Sequence, residues 1–155
     1  MMMKDFIQQQ QDFIMTNILI DLNILLDYYQ AKRGEKYPES VKAFDSLRCK
    51  DQAFISVSSL DNFEFLMYDT ISQKYPDKSR REKLNVIHEN IKEILSFFKI
   101  AKTPSYIDID YGDIEDSQVM ASAKAIDALV LTRDEKILQK YPAITIHPKE
   151  YMAQV

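Results

Sequence analysis

Apolar residues along the chain follow two rhythms. Short apolar runs occupy residues 17–21 (NILID), 52–58 (QAFISVS), 99–103 (KIAKT), 128–132 (ALVLT) and 143–146 (AITI). Their length and β-branched content predict buried strands. Between the runs, apolar positions recur at i, i+3 and i+4. Leu22, Leu25, Leu26 and Tyr29 mark a first helix over 22–32 (LNILLDYYQAK), with Gly34 and Pro38 punctuating the loop beyond it. Val41, Phe44 and Leu47 mark a second, and Leu60, Phe63, Met67 and Ile71 a third that ends before Pro76. Leu84, Ile87, Ile91, Ile94 and Phe98 form the clearest amphipathic stripe. After an acidic loop (SYIDIDYGD) comes an Ala- and Ser-rich helix, a strand, a short helix over about 133–139, a last strand and a helical turn past Pro148. Strands alternating with helices predict an α/β domain: a mostly parallel central sheet of four to five strands with helices on both faces.

Composition narrows this picture. With 155 residues, 46% hydrophobic and 11% aromatic, the chain suits one domain with one core. That domain is expected over 16–155. Residues 1–15 (MMMKDFIQQQQDFIM) read as an N-terminal extension, disordered or helical, too polar for a secretory signal. Met15 would itself make a sensible start. The single cysteine, Cys49, allows no intrachain disulfide and suits a reducing compartment. No apolar run approaches the ~18 residues of a membrane span, so a cytoplasmic location is expected. Gly34 and Gly112 are the only glycines, and a phosphate-cradling loop needs several clustered after a strand. Dinucleotide and P-loop folds are thereby excluded. The net charge of −4 means that any nucleic-acid binding needs a local basic patch.

Candidate chemistry comes from where the acids fall. In a parallel α/β sheet, strand ends and the starts of the following helices share one rim, where ligands bind. Asp21 ends the first strand. Asp61 and Asn62 open the helix after the second, with Glu64 one turn further. Glu115 and Asp116 open the helix before the fourth strand, and Asp134 follows that strand. Crowded carboxylates repel, and a divalent cation relieves the repulsion. Hard oxygen donors select Mg²⁺ or Mn²⁺, and His88, His147 and Cys49 offer no zinc set. The competing reading is ordinary helix chemistry: acids favour first turns, and Thr132 with Glu135 fits a capping box that would make Asp134 a first-turn acid. Asp21, directly after a buried run, fits that reading least.

Two segments resemble the PIN domain, the fold of many bacterial toxin ribonucleases of the VapC type. ILIDLNILLDYY resembles the family's opening strand and D-x-N-x-x-L-D motif, at Asp21, Asn23 and Asp27. DIEDSQVMASAKAIDALVLTRD resembles its E-D helix start, Ala-rich helix, hydrophobic strand and T-R-D. FISVSSLDNFEFLMY falls where the family has a strand, a Ser-rich turn and a helix. The likeness runs from about residue 17 to 146 and implies a PIN-like three-layer sandwich.

The resemblance further implies a Mg²⁺- or Mn²⁺-dependent endoribonuclease, the toxin of a toxin–antitoxin pair. Asp21, Asp116 and Asp134 correspond to the metal-binding, catalytic acids; Asn23 and Thr132 to supporting positions, with Glu115 beside them. The family's second acid aligns with Asn62, whose amide oxygen can ligate but brings no charge, and Glu64 lies two residues on. This departure leaves a second reading: a catalytically weakened PIN-fold module that binds RNA or protein.

Arg133 is the expected substrate contact because the motif places it beside the acids. Lys32, Arg33 and Lys36, and Lys78, Arg80, Arg81 and Lys83, are further candidates for phosphate, or simply solvated surface. Tyr28 and Tyr29 are adjacent on one helix and are expected to face different ways. An apolar face on the early helices would suit a homodimer or an antitoxin peptide. A receiver-type phosphate-handling domain, suggested by the AITIHPK ending, fits the spacing poorly.

Overall fold

A computed structural model describes residues 2–14, 16–50, 52–107 and 114–155, with backbone only for 10–14. The acidic loop expected before the Ala-rich helix lies outside the described residues from position 108 to 113. The elements run α1 (Met3–Ile14), β1 (Asn17–Ile20), α2 (Leu22–Tyr29), α3 (Ala31–Lys36), α4 (Pro38–Leu47), β2 (Ala53–Ser56) and α5 (Val57–Lys74). They continue with α6 (Arg80–Phe97), β3 (Lys99–Ala101), α7 (Ile114–Ala125), β4 (Ala128–Leu131), α8 (Glu135–Lys140), β5 (Thr145–Ile146) and α9 (Pro148–Gln154).

The described strands form one five-stranded, all-parallel sheet in the order β3-β2-β1-β4-β5. Each strand feeds both faces because successive side chains point oppositely. Ile18 and Ile20 of β1, Ile55 of β2 and Leu131 of β4 enter one core with residues of α2, α4, α5, α6 and α9. Leu19 of β1 and Ala128 and Val130 of β4 enter a second core with Val119, Met120 and Ala123 of α7 and Ile137 of α8. The result is three layers: helices, sheet, helices. Full burial of an Ile or Leu is worth roughly 1.5–3 kcal/mol, so these short runs anchor both faces.

The order of strands has a consequence for chemistry. The chain walks outward from β1 to β2 to β3, then returns to add β4 on the other side of β1. Right-handed crossovers place the connecting helices on opposite faces for the two directions. The chain after β1 therefore turns into one layer (α2) and the chain after β4 into the other (α8). A crevice opens between those two exits, the switch point where ligands of open α/β sheets lie.

Several local expectations are corrected. Helix α2 stops at Tyr29, because Gln30 is extended (φ −106°, ψ 112°), and a separate α3 follows. Gly34 sits inside α3 rather than in a loop; a Cβ there would lie 3.0 Å from the Asp27 carbonyl oxygen and 3.4 Å from Val41 Cγ2. Close packing of α3 on α2 and α4 requires the glycine. Pro38 begins α4 at its first turn, where proline's missing N–H costs nothing. Helix α5 starts at Val57, capped by Ser56, so Asp61 and Asn62 lie beyond its first turn. The last turn past Pro148 is a full helix, α9. Tyr28 and Tyr29 do not part company: Tyr28 stacks on Phe44 at 3.8 Å, and Tyr29 meets the same ring edge-on at 5.9 Å. Both rings pack on the core, while the Tyr28 hydroxyl accepts from Arg48 and the Tyr29 hydroxyl donates to Glu93 near the surface.

Candidate functional site

Asp21 is the first residue beyond β1 and the cap of α2, with only 8% of its surface exposed. Its backbone N–H still donates to the Leu131 carbonyl at 3.0 Å, extending the β1–β4 ladder by one rung. Asp21 thus sits at the mouth of the crevice. Its Oδ1 accepts from the Leu22 N–H at 2.8 Å. Its Oδ2 accepts from the Thr132 hydroxyl at 2.8 Å and from Asn23 Nδ2 at 3.2 Å. Three donors of fixed direction hold the carboxylate in one orientation.

Thr132 joins the two strand exits. The hydroxyl that donates to Asp21 also accepts from the Asp134 N–H at 3.0 Å and from Asn23 Nδ2 at 3.2 Å. Asn23 returns the link by accepting from the Arg133 N–H at 3.4 Å. Asp21, Asn23, Thr132, Arg133 and Asp134 are therefore one hydrogen-bonded unit, although Asp21 and Thr132 are 111 residues apart in sequence.

Asp134 caps α8: its Oδ1 accepts from the Lys136 N–H at 3.0 Å and the Ile137 N–H at 3.3 Å. This overturns the capping-box reading. Thr132 bonds across the crevice instead of capping, and Asp134 is the cap itself rather than a first-turn acid. Its Oδ2 takes no part in the cap.

Arg133 turns away from Asp134. Its Nε and a terminal nitrogen donate to the two oxygens of Asp27, the latter at 2.9 Å. Arg33 Nε donates to the same carboxylate at 3.0 Å. Asp27 is wholly buried, and the Arg133 guanidinium lies 3.4 Å from the centre of the Tyr37 ring. A buried carboxylate is costly unless paired and hydrogen-bonded, and both conditions hold. This clamp ties the Thr132–Asp134 turn to α2. The sequence marks Asp27 only as a motif position, without this anchoring role, and no motif marks Tyr37. The signal was present: an Asp among Ile24, Leu25 and Leu26, one helical turn past Asn23, demands a cation.

The remaining expected residues lie on other elements. Glu115 and Asp116 lie half-buried in the first turn of α7, which packs against β1 and β4 on the second face. Asn62 is half-buried on α5. Glu64 faces α6, where it pairs with His88 Nε2 at 2.8 Å, away from the Asp21 unit. His147 caps α9, its Nδ1 accepting from the Lys149 N–H at 3.1 Å. Burial above all holds that imidazole below its ordinary pKa, as a neutral acceptor.

Two facts bear on a metal. The donors at the crevice are carboxylate, amide and hydroxyl oxygens, the chemistry of Mg²⁺ and Mn²⁺. Among the described residues, no three Asp, Glu, His or Cys side chains gather closely enough to hold an ion by themselves. Mg²⁺ commonly binds through one or two carboxylates, completing its shell with water and substrate phosphate, so the crevice chemistry fits such an ion without a third. No family model, curated protein or solved structure matches the chain. Among the described residues, no helix is long and apolar enough to cross a membrane.

Proposed function

We propose that the chain is a PIN-like, Mg²⁺- or Mn²⁺-dependent endoribonuclease that hydrolyses RNA phosphodiester bonds, acting as the toxin of a toxin–antitoxin pair. One observation carries the reading. The D-x-N and T-R-D segments, which suggested this chemistry separately, meet through direct hydrogen bonds at the sheet's switch point.

In this reading Asp21 would hold the ion together with Asp116 or Asp134, and water and substrate phosphate would complete its shell. When bound, it supplies an acidified water and positive charge against the phosphodiester oxygens. Asn23 and Thr132 orient Asp21, and its near-complete burial keeps bulk water from competing. The Arg133–Asp27 pair fixes the turn that carries Asp134. The attacking group is water, since the hydrogen-bonded unit at the crevice contains no thiol or imidazole. A small antitoxin protein and a second copy of the chain are the expected partners.

The test incubates structured and single-stranded RNAs with and without Mg²⁺ or Mn²⁺. Asp21→Asn should abolish cleavage while melting cooperatively like the parent; full activity in that variant would remove the mechanism. A Mn²⁺-dependent rise in Tm, lost in Asp116→Ala, is the accompanying sign of a bound ion.

A second reading is favoured by Asn62 and by the lack of a three-acid cluster among the described residues. It is a PIN-like module that binds RNA or protein without cutting. RNA retained but uncut in Mn²⁺ would establish it.

A further inference from the structure

Beside the Thr132–Asp134 turn lies a groove of about 610 Å³, bounded by the starts of α4 and α9 and by the residues entering α8. Arg133 and Glu135 line it, while Thr132 and Asp134, alternating with them, belong to the Asp21 unit. The crevice and the groove thus share the Thr132–Asp134 turn.

The groove's charge opposes that of the whole chain. Lys36 and Lys149, both exposed, line it from α3 and α9. Arg133 also lines it, and Arg33, which does not, shares the Asp27 carboxylate with Arg133, so those three groups together carry one positive charge. Glu39 and Glu135 also line the groove, and Glu39 has Lys42 3.8 Å away. The Tyr37 phenol is held below the ordinary tyrosine value, first by the Lys36 hydrogen bond, with the Lys36 and Arg133 charges adding to it.

The buried Ser40 hydroxyl, also lining the groove, has no hydrogen-bond partner among the described residues. Cations on a −4 chain, placed next to a carboxylate crevice, are where an anionic strand escapes repulsion from the acids.

We propose that this groove holds backbone phosphates of a nucleic-acid strand lying across the Asp21 crevice, with Lys36 and Lys149 as its principal contacts. The proposal rests on the nuclease reading and extends it to the path of the substrate.

The test is fluorescence anisotropy of a short labelled single-stranded RNA, without divalent metal, over a range of salt. Each lost phosphate contact lowers the slope of log affinity against log salt by about 0.7 for a single strand. Lys36→Ala/Lys149→Ala should therefore lower it by about 1.4. Lys74→Ala/Lys92→Ala, an equal charge change on α5 and α6, should leave it unaltered. The same slope change on single-stranded DNA supports a phosphate contact; a change confined to RNA overturns it in favour of the sugar. Equal effects of the two double variants, or none from the first, overturn the groove. If the parent still cleaves RNA in an Asp21-dependent way, the nuclease reading survives that outcome. A parent that neither binds nor cuts RNA removes both.

Discussion

The crevice between β1 and β4 and the outer face of the α5–α6 hairpin use the same kinds of side chain at nearly the same distances. On the hairpin, Glu64 meets His88 at 2.8 Å and Glu89 meets Lys92 at 2.9 Å, with all four side chains between 44% and 73% exposed. In the crevice, Arg33 meets Asp27 at 3.0 Å, and Asp27 is 0% exposed. Water screens the first pairs and leaves them worth about 0–1 kcal/mol. Burial makes the second set mutually dependent, because removing one partner strands a charge away from water. Length of contact does not rank these interactions; the surrounding medium does.

The largest break in this contrast is expected at Asp27. Asp27→Ala leaves two guanidiniums facing a cavity, at a cost of about 3–5 kcal/mol. Urea unfolding measures it directly, and a loss under about 1 kcal/mol, within the range of a surface pair, would show that the clamp does not hold the turn. Next is Thr132→Val, which removes the hydroxyl shared by Asp21, Asn23 and Asp134. Stability should fall by about 1–3 kcal/mol, and the Mn²⁺-induced rise in Tm should shrink because Asp21 loses its orienting donor.

The hairpin side sharpens the comparison through smaller effects. Helix α6 begins with a capping box in which Ser79 and Glu82 exchange hydrogen bonds at 3.2 and 3.3 Å. Ser79→Ala should cost about 1 kcal/mol by chemical denaturation. Glu64→Gln should change stability by no more than about 0.5 kcal/mol. A larger loss there would mean that the pair is shielded from water in solution.

Much of the fold was legible because its signals are local. The apolar runs at the first and fourth strands became β1 and β4, and the stripe through Leu84 and Ile94 became α6. Boundaries were less legible where a neighbour decides them. The break at Gln30 separates two helices that a continuous pattern joins, and Gly34 looked like a loop residue because its real constraint is the Asp27 carbonyl of another helix. At the site, Asp21 and Asp134 could be read from their places after strands. Glu64 could not: its helix begins earlier than its sequence suggests, which carries it to His88.

Residue order by itself determined the strand-and-helix alternation, the absence of glycine-rich phosphate loops and the placement of acids just beyond β1 and β4. Those properties follow from backbone preference and side-chain period, which act over a few residues. Only tertiary structure decided that β1 and β4 are neighbours, that Thr132 bridges Asp21 to Asp134, and that Arg133 is anchored on a buried Asp27. Such pairings depend on which surfaces exclude water together, and contacts between chain segments over 100 residues apart have no local signature.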